Sequence, residues 1–505
     1  MDASIIGPIS FDATATAPMY LQIAEHIAAK IRGRLLPAGT KLPPERQLAA
    51  LFGVSRTTAI NAYRQLEELG LVRTKVGSGT YVNEAPAEAG PQPVPWHQTM
   101  VPHLPSPLAG ILRDLVSVDI AGDTISLGTG LPDPALYPTA AFTSLFERHF
   151  ARLNNADLGH IPTEGYLPLR TLLAAGHSRS GIPATAANIA VVSGSMQGLY
   201  LLAKIFINPG DYVIVEAPTY LGALPIFRTS GARVLTLPAP GPLQLDLLED
   251  YLVRYRPKLL YIMPTFQNPS GRVLPLAERR ALLALAARHR LIIIEDDPYG
   301  DLHYDQQPPP PLKALDPYGG VVYLRTFSKA LFPGLRVGWV VAPEPVIDRL
   351  AMEKQYIDLH SANLSQWLLS KFLGEGLLSG HVERLRAEYK KRRDIAAAAL
   401  QRHCSSLSFA PPSGGFYFWC RLARSSSAGT RLLLHEAARQ GVAFVPGEAF
   451  YPDSGGEQEF RLCFATNSEP VLQEGIKRLG KALSHLDKIA HADSRPLIHA
   501  SQPII

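Results

Sequence analysis

The sequence predicts two folded parts: a small helix-turn-helix unit ending in a short β-hairpin, then a larger α/β unit built on a mostly parallel sheet. From residue 18 to 83 the apolar positions recur at helical spacing until the strand-like LVRTKVGSGTYV. From about residue 122, the β-branched runs ANIAVVSG, DYVIVE, KLLYIMP, RLIIIED and GVVYLRT alternate with helix-length segments. That alternation is the pattern of strands covered on both faces.

The unit boundaries read as 12–83 for the small unit and 122–487 for the α/β unit, with residues 84–121 as a linker. Six prolines within 84–106 favour an extended tether over packed structure. Residues 488–505 lack strong periodicity and read as a flexible tail. A chain of 505 residues, 46% hydrophobic and 18% charged, has material for two cores. Three cysteines without C-x-x-C spacing exclude a disulfide framework and a zinc site, so no metal is expected. The N-terminus lacks a basic region followed by an apolar core, and no apolar run approaches the roughly 20 residues a membrane span needs. A soluble, cytoplasmic protein without a membrane partner is the expectation. The net charge of +5 is small for this length. Residues 1–83 hold nine Lys+Arg against six Asp+Glu, 9 − 6 = +3, a local bias toward polyanions.

In the small unit, residues 19–33 place Leu21, Ile23, Ala24, Ile27, Ala28 and Ile31 near one face, with Gly33 as terminator. A second helix starts at PPER and ends at Gly53. Ser55 has the chemistry of an N-cap for a third helix, which sends Ala59, Ala62, Tyr63, Leu66 and Leu69 to the core and ends at Gly70. Such a helix presents its N-terminal residues Ser55, Arg56, Thr57 and Thr58 to a major groove, where Arg56 can take phosphate or a guanine edge. Gly77 and Gly79 permit a tight hairpin tip, and Lys75 adds positive charge beside it. The stretch LPPERQLAALFGVSRTTAINAYRQLEELGLVRTKVGSGTYV resembles the winged helix-turn-helix of the GntR family. That resemblance implies DNA contacts from Arg46, Arg56, Thr57 and Thr58 and a wing tip at Gly77 and Gly79. The alternative is a three-helix cap that packs on the larger unit.

In the large unit, Asp296 ends the apolar run LIIIED and Lys329 follows GVVYLRT in RTFSKALFPGLRVGW. Strand ends of a parallel sheet are where α/β proteins place ligands. A lysine that holds pyridoxal 5'-phosphate covalently, with an acid that keeps its ring nitrogen protonated, is the pair that this cofactor's amino-acid chemistry needs. In VVSGSMQGLY a strand end passes into a helix start, so the N–H groups of Ser195 and Met196 and the Ser195 hydroxyl can hold a phosphate, with Gln197 beside them. The order of these motifs resembles class I and II aminotransferases of fold type I over about residues 122–485. The resemblance implies a mostly parallel sheet with a smaller α/β C-terminal subdomain. It also implies Tyr220 stacked on the ring, Asn268 and Tyr299 at the ring hydroxyl, Thr326, Ser328 and Arg336 on the phosphate, Arg461 on a substrate carboxylate and Gly130 in the substrate loop. Taken singly, Tyr220 and Tyr299 read as core, Arg461 as a surface ion pair, Asp296 as a strand-end cap and Lys329 as a solvated lysine. One departure stands out: His160 occupies the place of a family tyrosine that reaches the partner subunit's phosphate, and Tyr166 reads as packing.

The whole arrangement resembles the MocR subgroup of GntR regulators, to which FLGEGLLSGHVERLRAEYKKRRD adds a charged helix. The implied protein is a homodimer that binds a double-stranded DNA operator and senses the cofactor or an amine or amino-acid-like effector. The competing reading from another class is a working aminotransferase, with transaminase turnover left open.

Overall fold

In a computed structural model, the described residues are 6–9, 18–75, 78–83, 124–151, 153, 159–423 and 429–493, and the chain divides into two compact units, residues 1–104 and 105–505. The expected linker lies outside the described residues, as does Gly77 at the expected wing tip.

The small unit is built from α1 (Met19–Arg32), α2 (Glu45–Phe52) and α3 (Arg56–Glu68), followed by the antiparallel pair β1 (Val72–Lys75) and β2 (Gly79–Val82). Ile23, Ala24, Ile27, Ala28 and Ile31 of α1 are buried as their spacing requires, against Leu48, Phe52, Ala59, Ala62 and Leu66. Gly53 ends α2 in the left-handed region at φ +64°, a conformation that costs glycine little, and the chain turns directly into α3. The Ser55 hydroxyl accepts a hydrogen bond from the Thr58 N–H at 3.1 Å, the expected cap. Three details differ from the sequence reading. Leu21 is only half-buried, and Leu69 is 46% exposed because it stands at the C-cap, where Leu71 takes the core position instead. The unit also begins before residue 12: Ile6 is fully buried, and its carbonyl lies 3.1 Å from His26 Nε2.

The large unit has at its centre a seven-stranded sheet. Its strands are β4 (Ile189–Val192), β5 (Tyr212–Ala217), β6 (Arg233–Pro238), β7 (Leu259–Ile262), β8 (Ile292–Asp296), β9 (Val321–Thr326) and β10 (Gly338–Val341), while β3 (Ile125–Ser126) pairs elsewhere. The sheet order is β4-β10-β9-β8-β7-β5-β6, parallel except for β10, which runs antiparallel to both neighbours. The five apolar runs hold β4, β5, β7, β8 and β9, and all but four of the residues in these strands are buried. The sequence reading did not single out β6, an edge strand of mixed burial, or β10, only four residues long. A smaller sheet follows, formed by β11 (Leu407–Phe409), β12 (Tyr417–Leu422), β14 (Val445–Pro446) and β15 (Glu459–Cys463), with β13 (Val442–Ala443) on β3. Most of the expected charged helix lies in the helix Leu377–His403, whose Arg392 is buried and donates to Asp133, Ala465 and Asn467. The final helix runs to Asp493, six residues into the expected tail; 494–505 lie outside the described residues.

Candidate functional site

Each unit carries one candidate site. In the small unit, the exposed first turn of α3 offers Arg56 and Thr57, with Arg46 exposed on α2. Thr58 is half-buried and its hydroxyl lies 2.8 Å from Ser55 Oγ, so both hydroxyls are committed to the cap. Arg56 Nη2 lies 3.1 Å from Glu45 Oε2 in a pair exposed on both sides, the kind worth little in water. At the hairpin, Lys75 and Lys41 each place an ammonium 5.8 Å from the centre of the Tyr81 ring. The sequence reading missed Lys41, because only the register that folds residue 41 against Tyr81 brings it there.

In the large unit, a cavity of about 310 Å³ opens at the carboxyl ends of the central strands, where ligands bind in open α/β sheets. It gathers Gly130, Ser195, Tyr220, Asn268, Asp296, Tyr299, Lys329 and Arg461 from seven separate stretches of chain. Asp296 ends β8. Tyr261 from the neighbouring β7 donates to its Oδ2 at 2.7 Å, while its Oδ1 is buried with no hydrogen-bond partner among the described residues. Burial pushes this carboxyl up to about 7, although the Tyr261 hydroxyl and the Lys329 charge pull the other way. Lys329 follows β9 and donates to the Gly130 carbonyl at 2.6 Å. Burial lowers its amine to about 8; the neighbouring Cys463 and Asp296 oppose that shift, and the Arg461 charge adds to it.

Arg461 on β15 donates through Nη1 to Asn268 Oδ1 at 2.8 Å and through Nη2 to the Gly128 carbonyl at 2.7 Å. Its guanidinium sits 4.2 Å from the Tyr417 ring centre and 5.0 Å from that of Phe450, and its Nε is buried without a partner among the described residues. Both polar partners are neutral, so among the described residues the cationic charge is held in the cavity wall without a carboxylate paired to it. Tyr220 donates to Met196 Sδ at 3.4 Å. Tyr299 shares a 2.8 Å hydrogen bond with Tyr417. The sequence reading missed Tyr417: it lies in the unbroken apolar run FYFWC, where nothing marks one tyrosine as lining a cavity. A side chain at Gly130 would run into the Tyr417 hydroxyl, which accounts for glycine in that loop.

Four of the expected residues, Met196, Thr326, Ser328 and Arg336, do not line this cavity. Ser195 starts the helix Ser195–Phe206, whose first N–H groups are unpaired within the helix and form an anion seat. Arg336 Nη2 donates to the Ser193 carbonyl at 2.6 Å, and a Cβ on Gly194 would stand 2.7 Å from that same Nη2. Gly194 at φ +91° therefore lets a cation approach the helix start. Thr326 Oγ1 donates to Ser328 Oγ at 2.9 Å and accepts from the Ser328 N–H, and Thr326 is paired across the sheet with Gly338. His160 is exposed and packs edge-on against His360, ring centres 5.2 Å apart, while Tyr166 packs in the cluster around Phe142 and Trp339.

The arrangement fits a flat aromatic cofactor bearing a basic nitrogen, an aldehyde and a phosphate. The orphaned Asp296 oxygen offers an acceptor to the nitrogen, the Lys329 amine a nucleophile for the aldehyde, and the Ser195 turn a seat for the anion.

Residues 124–479 match the family described as Aminotransferase class I and II, and residues 19–82 match Bacterial regulatory proteins, gntR family. The chain is 38% identical over 387 residues to Aromatic-amino-acid aminotransferase 1 of Thermococcus litoralis, covering 74% of this chain and 91% of that protein. It is 30% identical over 484 residues to the probable rhizopine catabolism regulatory protein MocR of Rhizobium meliloti, covering 94% of this chain and 96% of that one. Among solved structures, LysN, the α-aminoadipate aminotransferase of Thermus thermophilus complexed with N-(5'-phosphopyridoxyl)-L-leucine, superposes with a TM-score of 0.71. It is 35% identical, and the match covers 78% of this chain and 99% of LysN.

Proposed function

Because the chain belongs to the aminotransferase class I and II family and carries a gntR-family unit ahead of that domain, we propose that it is a pyridoxal-phosphate-dependent transcriptional regulator of the MocR type. One observation carries the reading: a DNA-reading helix with an exposed Arg56 and a cofactor cavity with both Asp296 and Lys329 lie on one chain. The match to the rhizopine regulator spans both units, whereas the match to the Thermococcus aminotransferase covers three quarters of the chain.

When bound, pyridoxal phosphate supplies an electron sink for chemistry at an amino acid's α-carbon. Asp296 would hold its ring nitrogen, where the carboxylate pushed up by burial would gain a cationic partner. Lys329, lowered to about 8, holds about a tenth of its amine neutral at pH 7, the form that can attack an aldehyde. Tyr220 would cover the ring, and Asn268 and Tyr299 would hold its hydroxyl. The Ser195 and Met196 N–H groups, with Thr326, Ser328 and Arg336, hold the phosphate. Arg461 exchanges its neutral partners for the carboxylate of an amino-acid-like effector, with the Gly130 loop above it. An effector that favours one conformation of this domain then biases DNA occupancy. In a homodimer, two helix-turn-helix units engage two half-sites at once, through Arg46, Arg56 and Thr57 at the bases and phosphates, Ser55 and Thr58 at the helix start, and Lys75, Gly77 and Gly79 at the wing. Such a protein works in the cytoplasm, where the DNA is; among the described residues, no helix is long and apolar enough to cross a membrane.

The test uses the full-length protein loaded with cofactor and a duplex carrying the sequence upstream of its own gene. Salt-sensitive, sequence-selective binding is expected, together with a visible absorbance of bound cofactor that Lys329→Ala abolishes. Steady amino-group transfer between amino and keto acids without selective DNA binding would replace this reading with the aminotransferase one.

A further inference from the structure

The helix start that seats the phosphate is held from behind by residues that do not line the cavity. Ser193, two residues before the helix, is engaged at every polar atom. Its N–H donates to Gln197 Oε1 at 2.7 Å and its carbonyl accepts from Arg336. Its hydroxyl lies 3.0 Å from Ser361 Oγ and 3.4 Å from Asp358 Oδ2. Gln197, in the first turn of the helix, donates through Nε2 to the same Asp358 Oδ2 at 2.8 Å. The other oxygen of Asp358 accepts from Lys354 at 2.5 Å, and the Lys354 side chain is 0% exposed.

A lysine without solvent contact is costly, and its pairing with a partly exposed carboxylate stabilises no better than apolar residues of the same size. What the pair supplies is a carboxylate with fixed direction: Lys354 pins one oxygen, leaving the other to accept from Gln197 and Ser193. The chain beyond Asp358 adds strain. Leu359 lies at φ +59° and ψ −57°, unfavourable for a side chain with a Cβ, and persists because both ends of the turn are tied down. Asp358 is tied to Gln197 and Lys354, and Ser361, 2% exposed, to Ser193.

We propose that Asp358, held by Lys354, is a positioning residue for the cofactor phosphate: through Gln197 and Ser193 it fixes the turn that aims the Ser195 and Met196 N–H groups and the Arg336 guanidinium at one anion. Asp358 touches no cofactor atom. Its effect is confined to the phosphate end, because its hydrogen bonds run to the Ser193–Gln197 turn and none reaches Asp296, Lys329 or Arg461. The proposal rests on the cofactor reading above.

The test titrates full-length, cofactor-free protein with pyridoxal 5'-phosphate and, separately, with pyridoxal, which lacks only the phosphate, following absorbance. Asp358→Asn and Gln197→Met are each expected to weaken pyridoxal phosphate by about tenfold or more, the loss of a hydrogen bond to a charged group, with pyridoxal within about twofold of wild type. Gln197→Met leaves the Lys354–Asp358 pair intact, so it reports even where Asp358→Asn fails to fold. Equal losses for both ligands, or no loss for either, would overturn the positioning role. Wild-type protein that binds neither ligand would instead remove the cofactor reading itself.

Discussion

Asp296→Asn separates the two consequences of placing a carboxylate in the cavity. Burial raises this carboxyl from an ordinary 3.8 to about 7, which corresponds to about 4 kcal/mol against its ionised form. The sign follows from proton counting. Between pH 4 and 7 the folded, cofactor-free protein keeps a proton on Asp296 that the unfolded chain has lost, so stability falls as pH rises through that window and levels off above 7. An asparagine carries no such charge. Its carbonyl still accepts from Tyr261, while its amide takes over the unpartnered Oδ1 position at a cost of about 1–3 kcal/mol. At pH 8 the cofactor-free variant should therefore be more stable than wild type by about 1–3 kcal/mol, a gain that is lost as pH falls and gives way near pH 4 to the asparagine cost alone. With cofactor the order reverses, because the variant loses a charge-assisted bond to the ring nitrogen and its affinity should fall at least about tenfold. Denaturant titration of the large unit's transition at pH 4.5 and 8, with and without pyridoxal phosphate, reads both effects. A cofactor-free variant no more stable at pH 8, or an unchanged cofactor affinity, would refute the placement of Asp296 against the ring.

Cofactor capture should rise with pH through about 8, where the Lys329 amine loses its proton; a stopped-flow absorbance profile with its midpoint near 10, as for a solvated lysine, would contradict the burial argument. Arg56→Ala should weaken operator binding by about 1–3 kcal/mol in a gel-shift titration. Glu45→Gln should strengthen it by up to about 1 kcal/mol, because the free protein no longer holds Arg56 in an exposed ion pair that must be released. His177, buried with its Nε2 2.7 Å from the Trp339 indole nitrogen, is lowered to about 3 by burial and by the Arg325 charge. The unfolded chain thus takes up a proton below about pH 6.5 that the folded one refuses, and stability falls as pH drops from there toward 3. His177→Gln keeps an acceptor for Trp339 and should flatten that acid limb by up to about 1.4 kcal/mol per pH unit in denaturation midpoints taken at pH 4 to 7.

How much of this was legible depended on whether a residue's neighbours were local in sequence. Ser55 caps its own helix and Gly53 ends its own, so both could be read from spacing alone. Asp296 and Lys329 were found because each follows a strand recognisable by its β-branched run, and a parallel sheet brings such ends together. Tyr417, Lys354 and Asp358 were not found. Tyr417 enters the cavity from β12, among neighbours whose uniform burial leaves no alternation to mark the cavity side. Lys354 and Asp358 have the i, i+4 spacing of a solvated helix pair, and only the packing of the helix Glu344–Asp358 on Ser195–Phe206 buries one and aims the other. The Leu69 error has the same origin: the end of a helix decides whether its last apolar residue faces the core, and helix ends are poorly marked in sequence.

The cavity's unpaired groups bear on what the large unit needs in order to be stable. An Asp296 oxygen without a partner, a Lys329 amine lowered by burial and an Arg461 charge facing neutral groups all act against folding of the cofactor-free chain. A domain that served only as packing would gain by replacing each with an apolar residue of the same size. A bound cofactor and carboxylate offset all three at once, and by mass action anything that binds only the folded state stabilises it in proportion to the logarithm of its concentration. The residues that make this cavity costly when empty therefore make the conformation of the large unit responsive to cofactor and effector supply. That responsiveness is what a sensing domain attached to a DNA reader requires, and turnover is not needed for it.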